Sequence, residues 1–151
     1  MTHSDKFRLP AGALVAVCDG RRALFLRNEG DQAFPNLRTR EVHEQDNPPT
    51  AAQGTDAPGR VHQSTGTARS AVETTDFHAL AEAAFLRRIA ERLEALLAAG
   101  EGTALVMVAS PRALGVLRPL YGRAVQEALI GEVDRDMVKL PVYEIEKHVA
   151  A

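Results

Sequence analysis

The chain has one cysteine, no tryptophan and only 5% aromatic residues in 151 positions. A lone Cys18 excludes an internal disulfide and any thiolate cluster around zinc or iron and sulfur, and it permits a reducing compartment. So few rings leave a core of Leu, Val and Ala and offer few stacking platforms for single-stranded nucleic acid. No apolar run approaches the roughly 18 residues needed to span a bilayer. The opening Met1 to Phe7 lacks the charged-then-apolar pattern of a signal peptide, so a cytoplasmic protein with no membrane partner is expected. An excess of one charge is missing too. Lys and Arg number 18 against 20 Asp and Glu, a formal net charge of -2, which announces neither a nucleic-acid binder nor a charged tail but leaves room for a local basic patch. With 45% hydrophobic residues and no internal repeat, residues 1–151 are expected to form one domain.

The short apolar run Ala13 to Cys18, followed by Asp19-Gly20, predicts a strand and a tight turn with positive φ. Arg22 to Arg27 supplies the returning strand, Asn28 to Asp31 a second turn, and Leu37 to His43 a third, more polar strand. Asp76 predicts the cap of a helix running to about Ala99, with Phe85, Ile89, Leu93, Leu96 and Leu97 on one face and Gly100 as the stop. Thr103 to Ala109, apolar in both phases, reads as a strand covered on both faces and as the centre of the sheet. Ser110 caps a short helix from Arg112 to Tyr121 that breaks or restarts near Pro119. Ala128 to Val133 is the last strand. Pro141 opens a final helix burying Val142, Ile145 and Val149.

The expected fold is therefore α/β: a three-strand antiparallel meander, then α-β-α-β-α, with the later strands added in parallel through right-handed crossovers. This mixed sheet resembles the ribonuclease H-like layout, in the version that translation proteins use. Between the meander and the first helix, residues 45–75 lose the apolar pattern and fill with Pro, Gly, Thr and Ser, predicting a long flexible loop well beyond ordinary connection lengths. Ala57 to Val72 carries two arginines, a histidine and no acid, so an anionic partner is sought there. Arg60 and Arg69 lie in the loop. Arg112 and Arg118 follow the strand ending at Ala109, a position where open α/β sheets place ligands.

Other chemistry finds little support. Asp19 reads as a turn residue rather than a metal ligand, and Asp134 and Asp136 as a polar strand edge. The five histidines lack zinc-site spacing, Ser110 lacks a nucleophile elbow, and no phosphate-loop sequence is present, so neither metal nor cofactor is expected. The charged cluster of Arg87, Arg88, Glu91 and Arg92 reads as the solvated face of the long helix. The polar third strand, if it lies at the sheet edge, could pair two copies as a homodimer.

Val17 to Ala23, Pro58-Gly-Arg60, Val108 to Arg118, Val133 to Met137 and Leu140-Pro141 together resemble the bacterial host-attachment protein family. That family is similar in turn to the middle domain of archaeal and eukaryotic peptide-release factors. In those factors the loop after the meander carries a Gly-Gly-Gln motif that assists hydrolysis of peptidyl-tRNA on the ribosome. Gly59, Arg60, Gln63 and Ser64 match a Gly-Arg-Gly-Gly-Gln-Ser pattern, whereas Val61 and His62 replace its two glycines. A β-branched valine disfavours the backbone glycine allows and obstructs close approach to RNA. The resemblance thus implies a translation-related protein that binds the ribosome or structured RNA through the loop, rather than an enzyme. Two alternatives stand beside it: a peptidyl-tRNA or ester hydrolase centred on Gln63 with His62 assisting, and a stress or host-attachment factor acting through protein partners.

Overall fold

A computed structural model describes residues 6–45 and 67–151, with backbone only for 67–75. The strands are β1 (Leu14–Cys18), β2 (Arg22–Asn28), β3 (Leu37–Glu44), β4 (Leu105–Ala109) and β5 (Leu129–Val133). The helices are α1 (Thr67–Ala98), α2 (Pro111–Leu117), α3 (Arg123–Ala128) and α4 (Val142–Val149), with a 3-10 turn at Arg118–Leu120 between α2 and α3. The five strands form one mixed sheet in the order β3-β2-β1-β4-β5. β1, β2 and β3 run antiparallel to one another as the meander, and β4 and β5 add in parallel to β1. This is the ribonuclease H-like α/β layout expected from the sequence.

Both faces of the sheet are covered, which explains why β1 and β4 are apolar in both phases. On one face α1, α2 and α3 pack Phe85, Ile89, Leu93, Leu114 and Val125 against Ala16, Phe25 and Met107. On the other, α4 lays Ile145 and Val149 against Val15, Leu26 and Val106. β4 is not the middle of the sheet as its sequence suggests. That place belongs to β1, which bonds β2 on one side and β4 on the other.

Several local signals act as read. Ser110 accepts a hydrogen bond from the Ala113 amide at 3.2 Å and caps α2, and the chain turns 3-10 at Pro119 because proline offers no amide to continue an α-helix. Gly100 adopts φ +81° and ends α1: its amide bonds the Leu97 carbonyl and that of Glu101 bonds the Leu96 carbonyl, satisfying the last turn. Three readings need correction. Asp76 lies inside α1, not at its start, because the helix begins at Thr67, so the last part of the expected loop, with Arg69, is helical. Gly20 does not have positive φ; among the described residues only Gly12 and Gly100 do. Asp134 and Asp136 fall beyond the end of β5, where the Asp136 carboxylate accepts the Val138 amide in a turn.

The charged side chains of α1 are more than a solvated face. Arg92 crosses to β3 and forks onto Glu41 at 3.0 and 2.6 Å, while His43 sits 2.8 Å from the same carboxylate. The Arg92 hydrogen bonds, reinforced by His43, hold the Glu41 carboxyl down at about 2 against its ordinary 4.5. In the unfolded chain this carboxyl takes up a proton near 4.5. The contribution of the pair to stability is therefore complete above that value and is lost as pH falls through about 2. Glu41→Gln is expected to lower the urea midpoint modestly at pH 6, because Arg92 is half exposed, with the gap to wild type closing between pH 4.5 and 2. A gap unchanged across that window would remove the ion pair as its cause.

Candidate functional site

The parallel strands β1, β4 and β5 end along one edge of the sheet, and α2 with Arg112 follows directly from that end of β4. The β1–β2 turn is held by Asp19, whose carboxylate accepts the amides of Arg21 and Arg22, both at 2.8 Å, while its own amide bonds the Arg22 carbonyl. Asp19 is thus a turn residue. At Gly20 space rather than φ is at issue: a Cβ there would run into the side chain of Glu82, which lies over the turn and would have to shift. The carboxylate of Glu82 reaches Arg112 at 3.1 Å. α1, α2 and the β1–β2 turn therefore meet at Glu82.

The last described residue before the long segment is tied to the same place. The Gln45 amide bonds the Arg21 carbonyl at 2.9 Å, and its side-chain Nε2 bonds the Gly20 carbonyl at 2.8 Å. N-terminal to Glu82, α1 continues for about 20 Å at roughly 1.5 Å per residue. Residues 76–80 are exposed, as expected of turns that run past the sheet. The root of the segment and the projecting half of α1 leave the body at one edge.

The arginines read from the sequence divide here. Among the described residues Arg112, 73% exposed, is held by Glu82 alone. Arg118 is committed: its guanidinium bonds Glu132 at 2.9 and 2.7 Å, and the Tyr121 hydroxyl donates to the other oxygen of that carboxylate at 2.8 Å. Burial pushes Glu132 up, but the hydrogen bonds from Arg118 and Tyr121 outweigh it and keep the carboxyl below its usual range. Burial and the same carboxylate push the Tyr121 phenol up. Arg69 falls in the first turn of α1, where the backbone alone is described. Gly59, Arg60, His62, Gln63 and Ser64 lie outside the described residues.

Sequence reading passed over Arg21, Arg22 and Gln45. The one signal for them was the pair of adjacent arginines directly after a turn. Cys18, at the end of β1, is fully buried; that burial, with Asp19 and Asp136 nearby, pushes its thiol up to about 12, which makes it a packing residue rather than a nucleophile. Among the described residues no three His, Cys, Asp or Glu side chains converge as a metal site, and no helix is long and apolar enough to cross a membrane.

A three-strand meander, a long excursion and then a long helix leading into parallel strands define a protein of the release-factor middle-domain class. The family model for bacterial archaeo-eukaryotic release factor family 12 matches residues 12–149, and the chain belongs to that family. No curated protein matches it. Family membership bears out the release-factor resemblance read from Val17 to Ala23 and Val108 to Arg118.

Proposed function

We propose that this protein acts in translation, in the cytoplasm, as a binder of the ribosome or of structured RNA, with residues 45–75 and the adjoining sheet edge toward the RNA. Membership of a release-factor family supports a translation-related role. The observation that carries the binding reading is the anchoring of Gln45 to the arginine-bearing β1–β2 turn, which roots the long segment beside cationic side chains on a rigid sheet. Phosphate contacts dominate affinity for RNA and need such fixed cations more than they need an overall positive charge.

Sedimentation with purified ribosomes tests the proposal. Wild-type protein is expected to pellet with ribosomes at low salt and to be released as salt rises, with Arg60→Ala and Arg69→Ala each reducing the pelleted fraction several-fold. Absence from the pellet at low salt, or pelleting indifferent to salt, would overturn it.

A further inference from the structure

We infer that the folded body carries its own phosphodiester-binding anchor, formed by Arg21 and Arg22 at the β1–β2 turn, which the side chain of Gln45 braces. It takes the backbone of a structured RNA independently of the segment that follows Gln45. The inference rests on the RNA-binding reading above and gives it a place in the described structure.

Four observations support it. A hollow of about 210 Å³ is lined by Arg21, Arg22, Glu44 and Gln45. Arg21 is exposed, and no side chain among the described residues pairs with it. Among the described residues the Arg22 side chain meets Glu44 alone, at 3.6 Å with both side chains exposed, a contact that a phosphate can replace because exposed ion pairs of that kind contribute little. The backbone that presents both arginines is fixed from below by Asp19 and from the side by Gln45, so on binding the arginine side chains alone remain to be ordered.

A broader hollow of about 720 Å³ at the start of β3 does not compete. Leu37 and Val142 make part of its wall apolar, and two acids, Glu29 and Glu101, stand beside its Arg38 and Arg40. Two arginines and one acid, Glu44, line the hollow at the β1–β2 turn, and Arg21 has no side-chain partner among the described residues.

The chemistry assigns each side chain a task. The Arg21 guanidinium contacts a phosphate oxygen directly. Arg22 exchanges Glu44 for a second phosphate, and Glu44 acts as the competing anion that weakens nonspecific binding.

The test is fluorescence anisotropy of a labelled RNA hairpin titrated with full-length protein over a series of salt concentrations. Arg21→Ala/Arg22→Ala is expected to weaken binding at low salt and to flatten the slope of log affinity against log salt by about two, since each lost phosphate contact removes about 0.9 on a duplex. Glu44→Gln is expected to tighten binding a few-fold. Glu127→Gln, which removes an equal charge at an exposed position of α3 paired with Arg123 near the opposite sheet edge, is expected to leave affinity unchanged. Circular dichroism shows whether the double variant retains its fold, and Arg21→Ala alone, expected to flatten the slope by about one, serves as a second reading.

The inference falls if the double variant binds with wild-type affinity and slope, or if Glu127→Gln tightens binding as much as Glu44→Gln. Should the double variant behave as wild type while Arg60→Ala loses binding, the RNA reading stands and the anchor is rejected. Should wild type neither bind the hairpin nor pellet with ribosomes, both are rejected.

Discussion

Asn28→Ala is expected to lower the free energy of unfolding by about 3–5 kcal/mol, enough to leave an ordinary domain close to unfolding. Asn28 is the one buried polar side chain among the described residues, and all of its hydrogen-bonding capacity is spent on backbone. Nδ2 donates to the carbonyls of Leu9 at 2.9 Å and of Pro10 and Asp31 at 3.3 Å. Oδ1 accepts the amides of Gly30 at 3.0 Å and Asn36 at 2.8 Å. Alanine deletes both ends of this bracket, and each backbone group left buried without a partner costs about 1–3 kcal/mol. Asn28→Asp keeps the acceptor but turns a carboxylate toward three carbonyls, so it too is expected to destabilise. Urea denaturation measures both. A loss below about 1 kcal/mol for alanine would show that water replaces the side chain. Because Asn28 pairs with the start of β1, at the end of the sheet away from Arg21 and Arg22, RNA binding by the folded fraction should not change.

Phe25→Ala carries the second large effect, about 3–5 kcal/mol, from lost burial and the cavity left behind. Phe25 is fully buried in the middle of β2, packed beneath α1, with its ring centroid 5.0 Å from that of His43. Its removal opens space under the same part of β3 where Glu41 receives Arg92, so loss of the ring and loss of the ion pair are expected to couple rather than add. Phe25→Leu, which keeps much of the volume, should cost less than about 1.5 kcal/mol. A double-mutant cycle of Phe25→Leu and Glu41→Gln checks the coupling, and strict additivity would refute it.

Much of the fold was legible because its signals are local. The turn at Asp19, the stop at Gly100, the cap at Ser110, the break at Pro119 and the start near Pro141 each depend on a few adjacent residues, and each does in the structure what its chemistry requires. The start of α1 was not legible. Thr67 to Thr75 has no acidic residue in its first turn and is rich in Ser and Thr, so neither a cap nor an apolar period marks it. The short α3 was missed for a related reason: the carboxylate of Glu94, distant in sequence on α1, accepts the amides of Ala124 and Val125 and so satisfies the helix start from outside.

The candidate site divides along the same line. The residues carrying the release-factor resemblance, Arg60 and Gln63 among them, are read directly from the chain. No spacing announced that Arg118 is spent on Glu132, that Arg112 is held by Glu82, or that Gln45 ties the long segment to Arg21.

By itself the sequence determined the mixed α/β class, the order of the five strands and the faces that the long and the final helix bury, because side-chain period, proline, glycine and capping residues act over a few neighbours. Only the tertiary structure decided which of two equally apolar strands stands at the middle of the sheet and which arginines are paired with carboxylates. Those outcomes depend on groups far apart in the chain meeting across an edge, and that proximity exists only once the sheet has formed.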